Sequence, residues 1–223
     1  MIATPDLIES LAANVQPVRR LPPPGGRAMR WLLLAALILT LLAISQGVRS
    51  DLMQKLVDFE FTGRLAGALA TAVLAAIAAF ILSLPDRTRL WLLLPLPGLV
   101  LWLSTMGHQC LTHWVSFDAS GMRAGEAARC FATLVLTSLP LSLAMLLMLR
   151  FAAPLRPTAA ILAGSLAVGA VTASAMSLFH VIDASIMILM WNLGTAMLFV
   201  GLAGAFGRKI LSWAAPQFPL HRA

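Results

Sequence analysis

The stretch HQCLTH places His108, Cys110 and His113 within one short segment, and a second thiol, Cys130, stands where the next apolar run begins. These are the only two cysteines in the chain. Thiolate and imidazole are soft to borderline ligands suited to copper-like or zinc ions, and Met106, Met122 and Met176 could add thioethers for Cu(I). His180, followed by Asp183, enters the last apolar run. The H-x-C-x2-H spacing is no recognised zinc template. Three readings of the group therefore stand side by side. His108, Cys110, His113, Cys130 and His180 could form a metal or thiol-redox sensing site. The two cysteines could instead close a disulfide loop of about twenty residues, stabilising it by about 3 kcal/mol. Or the residues are unrelated, the histidines anchoring a loop through hydrogen bonds. Catalysis is not expected, because the chain has no C-x-x-C, H-E-x-x-H or G-x-S-x-G motif and no paired carboxylates within its apolar runs.

The elements that must position these groups are membrane spans. Sixty per cent of the residues are apolar and 11% charged, with a mean hydropathy of +0.88, a balance that excludes a surface solvated by charge. Crossing a hydrocarbon core of about 30 Å takes about 20 helical residues. Six runs qualify: Trp31 to Val48, Leu65 to Leu84, Leu90 to Met106, Cys130 to Leu149, Thr158 to Phe179 and Ser185 to Phe206. The expected fold is all-α, a polytopic transmembrane bundle of six helices, since a helix satisfies its own backbone in lipid. Its expected layout is a cytoplasmic head over residues 1–29, a membrane domain over 30–207 and a cytoplasmic tail over 208–223. No cleavage site follows the first run, so that span is expected to be retained.

Eleven of the 16 Lys and Arg residues fall on one side if the chain starts in the cytoplasm. The positive-inside rule then puts both termini there and the Cys/His group on the outer side. The net charge of +7 is scattered singly or in pairs at span ends. It answers to the bilayer and gives no contiguous patch for direct nucleic-acid binding. Ala68, Ala72 and Ala76, like Ala160 and Gly164, recur every fourth residue and predict close helix packing, within one chain or in a homodimer. Pro95, Pro97 and Pro140 are expected to kink their spans. The spans carry no acid or base at depth and no inverted repeat is evident, which disfavours proton-coupled transport. A small transporter or channel for a neutral or metal substrate remains the alternative. Asn192 and Trp191 are expected to bond to a neighbouring helix.

Ahead of the first span, Thr4, Pro5, Asp6 and Glu9 suit a helix start. Leu7, Ile8, Leu11 and Val15 form one apolar stripe, and Pro22 to Gly26 separate this head from the span. So short a helix is marginal alone. Its acidic residues do not favour adhesion to a membrane, and an apolar stripe docking in a partner's groove fits it better. A loosely structured topogenic tail is the plainer possibility.

The order of "DLIESLAANVQPVRRLPPP", six spans, "APLRP" at 153–157 and "FHVIDASIMILMW" at 179–191 resembles the NrsF-type membrane anti-sigma factors. The resemblance implies an inner-membrane protein of proteobacteria whose head, with Leu7, Ile8, Leu11, Val15, Arg19 and Arg20, holds an extracytoplasmic-function (ECF) sigma factor in the cytoplasm. It also implies that a signal sensed through the membrane part releases that factor. The family's cysteine role carries over to Cys130. The place of its second cysteine, directly after His180, is held here by Val181.

Overall fold

A computed structural model describes residues 4–13, 22–112, 124–150, 157–179 and 201. Among them every regular element is helical: α1 (Thr4–Ala13), α2 (Pro24–Gln46), α3 (Leu52–Lys55), α4 (Phe59–Leu82), a 3-10 segment (Arg89–Leu93), α5 (Leu96–Thr112), α6 (Ala124–Arg150) and α7 (Pro157–Phe179). Four helices are long and apolar enough to cross a membrane: Pro24–Gln46, Phe59–Leu82, Arg129–Arg150 and Thr158–Phe179. The expected sixth span, with Trp191 and Asn192, lies outside the described residues apart from Gly201.

The third expected span is not one helix. Proline lacks the N–H that a helix interior needs and restricts the residue before it, so the run breaks at Pro95. Five residues wind as a 3-10 segment, and a 17-residue helix restarts at Leu96. Pro97 falls in its first turn, where a missing donor costs nothing. The helix alone spans about 25 Å, and the 3-10 segment adds about 10 Å, so only together do they match a bilayer. α6, by contrast, continues through Pro140. α2 starts earlier than its apolar run, with Pro24, Gly25 and Gly26 forming its first turn instead of a linker.

Successive apolar elements alternate in direction. The start of α2 meets the ends of α4 and α6, where the Arg27 guanidinium donates to Ser83 Oγ at 3.3 Å and to the Met148 carbonyl. At the opposite end, Arg129 of α6 donates to the Gln46 carbonyl at 3.3 Å. The Arg49 backbone N–H donates there to the Leu178 carbonyl of α7 at 3.2 Å. α7 is the central helix, with 72% of its apolar window buried against 22% for α2.

Packing follows the small residues. Ala68, Ala72 and Ala76 of α4 and Ala160 and Gly164 of α7 are buried within the chain, so the expected close packing occurs inside one chain. α4 turns glycine toward α5: a Cβ at Gly67 would stand 2.7 Å from the Trp102 backbone nitrogen, and one at Gly98 2.7 Å from that of Thr71. Hydroxyls buried in these helices return to their own backbone, as Thr71 to Gly67 O at 2.7 Å and Thr172 to Val168 O at 2.9 Å. This internal bond lets a polar side chain sit where no water reaches it.

Backbone cannot yield as a flexible side chain can, so Gly67→Ala and Gly98→Ala are each expected to destabilise the bundle by about 1–3 kcal/mol. Gly25→Ala, where an added Cβ meets nothing within 4 Å, is expected to be neutral or slightly stabilising. Thermal unfolding of the three variants in detergent checks this; equal midpoints would mean the α4–α5 contact is looser than described.

Candidate functional site

The bundle end formed by the termini of α2, α6 and α7 carries the described part of the sulfur and imidazole group. Cys130, in the first half of α6, is a half-buried free thiol. Its Sγ lies 3.9 Å from Met176 Sδ on α7. One turn along α6, the Thr133 hydroxyl has two acceptors in reach, Gln46 Oε1 at 2.8 Å and the Arg129 carbonyl at 2.9 Å. With a single hydrogen it donates to one at a time. The sulfurs thus join α6 to α7, and one turn away Thr133 joins α6 to the end of α2.

The remaining expected ligands are placed less fully. His108 and Cys110 belong to α5, which runs on to Thr112, past the end at Met106 expected for the third span. The side chains of both lie outside the described residues, as do His113 and His180 altogether. Among the described residues no three His, Cys, Asp or Glu side chains converge. In the head, Leu7, Ile8 and Leu11 lie on α1, where Thr4, Asp6, Glu9 and Ala12 are exposed. The side chains of the three apolar residues, and Val15, Arg19 and Arg20 entirely, lie outside the described residues.

Two arginine clusters mark the bundle's ends, and the sequence revealed them only as topological charges. At the end where α2 begins, Arg27 is 4% exposed. Besides its bonds to Ser83 and Met148, it stacks over the Phe80 ring at 5.0 Å, so the turn that leads out of the head is tied to α4 and α6. At the other end, Arg49 is 5% exposed and grips the Asp51 carboxylate through two bonds, at 2.7 and 2.6 Å. Arg49 and Arg64 both lie over Phe61, at 5.5 and 5.6 Å, which lends their charge a partner as the ring's negative face attracts cations. An arginine two residues from an aspartate just beyond a span was the available signal for the Arg49–Asp51 pair. The contacts of Arg27 are made with residues 56 and 121 positions away, and no local pattern announces them.

An alternating helical bundle whose described residues include four helices long and apolar enough to cross a membrane, with a short helix ahead of the first and a thiol–thioether pair at one end, defines a helical membrane protein. Its place among such proteins comes from the family model described as NrsF, negative regulator of sigma F, which matches residues 11–213. The chain belongs to that family, whose description makes it a negative regulator and makes a sigma factor its target. Comparison with curated proteins and with solved structures returns no match.

The Arg49 hydrogen bonds hold the Asp51 carboxyl below its ordinary range. A carboxylate whose folded value is depressed adds stability above its unfolded value of about 4, and that stability is lost as the pH falls through the folded value. Acid titration of thermal stability should therefore show a steeper loss in wild type than in Asp51→Asn, which should already be less stable at neutral pH. Parallel acid slopes for the two proteins would mean that the pair does not hold this connection together.

Proposed function

We propose that this chain is a multi-pass anti-sigma factor of a bacterial inner membrane, with both termini in the cytoplasm, that holds an ECF sigma factor through its head. The family match over residues 11–213 carries this reading. Two features support it. α1 is helical over Thr4–Ala13, as an apolar stripe that docks in a groove requires. The Arg27 end of the bundle, nearest the head, is the basic side by sequence, so the positive-inside rule assigns it to the cytoplasm and Cys130 to the periplasm.

In this reading the signal is a soft metal ion or a thiol oxidant acting at the outer end. The donor set suits a copper-like ion: two sulfurs 3.9 Å apart match two ligands held about 2.3 Å from one metal. Cys130 and Met176 would hold the ion, with His108, Cys110, His113 and His180 as the sequence's further candidates. A ligand releases the head only by favouring one helix packing over another. α6 supplies the path, since it bears Cys130 near one end and, through Met148, the anchor of Arg27 at the other.

Replacing Leu7 and Leu11 by Asp should abolish co-purification of the sigma factor while membrane insertion stays normal. Each buried Leu contributes about 2 kcal/mol, so the pair should cost well over a hundredfold in affinity. Undiminished capture by the double variant would overturn docking through the head. Cys130→Ser should keep repression but blunt induction by copper or a thiol oxidant, because the serine hydroxyl is a poor soft-metal ligand and cannot be oxidised as a thiol is. If the Cys110→Ser/Cys130→Ser protein still releases its partner at the wild-type dose, the sulfur pair is structural.

A further inference from the structure

The connection between α2 and α4 is ordered by its own bonds and yet turns its apolar residues outward. Lys55 N–H donates to the Asp51 carbonyl at 3.0 Å and Leu56 N–H to the Leu52 carbonyl at 2.9 Å. The Thr62 hydroxyl donates to the Leu56 carbonyl at 2.9 Å, and the Asp58 carboxylate accepts the Glu60 N–H at 3.1 Å. Arg49 fastens the segment to α7 through the Leu178 carbonyl. Against this satisfied backbone Met53 is 80% exposed, Val57 88% and Phe59 85%.

The order of side chains is that of an amphipathic turn. Leu52, Met53, Leu56 and Val57 share one arc of the helical wheel, while Asp51, Gln54, Lys55 and Asp58 share the opposite one. An exposed apolar face on α2 also leads along the chain to this connection. Exposed Leu33, Leu37, Leu41 and Ile44 run up α2, exposed Val48 follows just past its end, and exposed Met53 lies on α3 within the connection.

We propose that residues 48–59 form an interfacial anchor that beds Met53, Val57 and Phe59 at the boundary between headgroups and acyl chains of the leaflet at the Cys130 end. The proposal rests on the membrane reading above. Two flanking spans leave this segment no distance from the bilayer, and an ordered turn with an exposed apolar arc, joined along the chain to the exposed leucines of α2, meets the acyl boundary before it can meet water. The charged residues from Arg49 to Glu60 are two cations and three anions, so adhesion is apolar and requires no anionic lipid. Because Arg49 joins this anchor to α7 within two residues of Met176, the state of that leaflet bears on the helix ends that frame the sulfur pair.

The test is site-specific photocrosslinking of the full-length protein in vesicles of phosphatidylcholine alone. Benzoylphenylalanine is placed singly at Met53, Val57 and Phe59, at the polar-arc residues Gln54 and Asp58, and at Leu37 in mid-span, and products are read by intact mass. All six positions are exposed, so the bulky group displaces no packed neighbour; replacing Asp58 also removes the cap on the Glu60 N–H, so position 54 is the deciding polar-arc control. Lipid adducts at 53, 57 and 59 several-fold above those at 54 and 58, with strong labelling at 37, are expected. Labelling at 37 with none at 53, 57 and 59, or with equal yields on the two arcs, overturns the anchor alone. Loss of labelling at 37 as well overturns the membrane reading and the anchor with it.

Discussion

Close approach of backbones along α4 is the constraint on which the rest of the bundle depends. In lipid the apolar effect does not draw helices together, and association relies on tight van der Waals contact and interhelical hydrogen bonds. α4 meets that demand on two sides. Its alanines at 68, 72, 75, 76 and 79 are all at most 2% exposed, and Gly67 admits the Trp102 backbone as Gly98 admits that of Thr71. A helix lined with larger side chains could face one neighbour this closely but not two.

With α4 in place, the polar groups that remain must be bonded or brought to the ends. Buried serines and threonines are bonded to carbonyls on their own helices. Trp31, fully buried in α2, directs its ring N–H to the Leu141 carbonyl at 3.1 Å, which joins α2 to α6 across the interior. The arginines gather at the two ends, where aromatic rings, carbonyls and a carboxylate receive them. A buried guanidinium is costly unless it is bonded and neutralised. Each cluster therefore fixes the register of the helices that supply its partners, and shifting one helix would strand a charge.

That arrangement gives the functional proposal its physical form. The head enters the membrane domain through the turn that holds Arg27, and Arg27 is bonded to the end of α6. The thiol–thioether pair sits at the other end of the same helix. Rigid helices transmit a displacement along their length because their packed faces have discrete rather than continuous alternatives. In the proposed function one element, α6, thus links the sulfur pair at one end of the bundle to the anchor of Arg27 at the other.

Composition and pattern by themselves determined the helical membrane class, the four long described spans except for the starts of α2 and α4, which lie more than a turn ahead of their apolar runs, the small-residue faces that pack, and the family, because each is written in local order and needs no knowledge of what lies opposite. The sequence also singled out Cys130 and the candidate thioether Met176, though not that the two would meet. Tertiary structure decided that meeting, since the residues are 46 positions apart and are brought together only by the antiparallel packing of α6 on α7. It also decided that Arg27 and Arg49 are buried clasps rather than surface topogenic charges. The helical extent of α5 over His108 and Cys110 and the replacement of a third uniform span by a 3-10 segment and a restarted helix were settled there as well. Hydropathy averages over a window and cannot register a backbone donor missing at Pro95, whereas the folded chain must accommodate that single absent N–H.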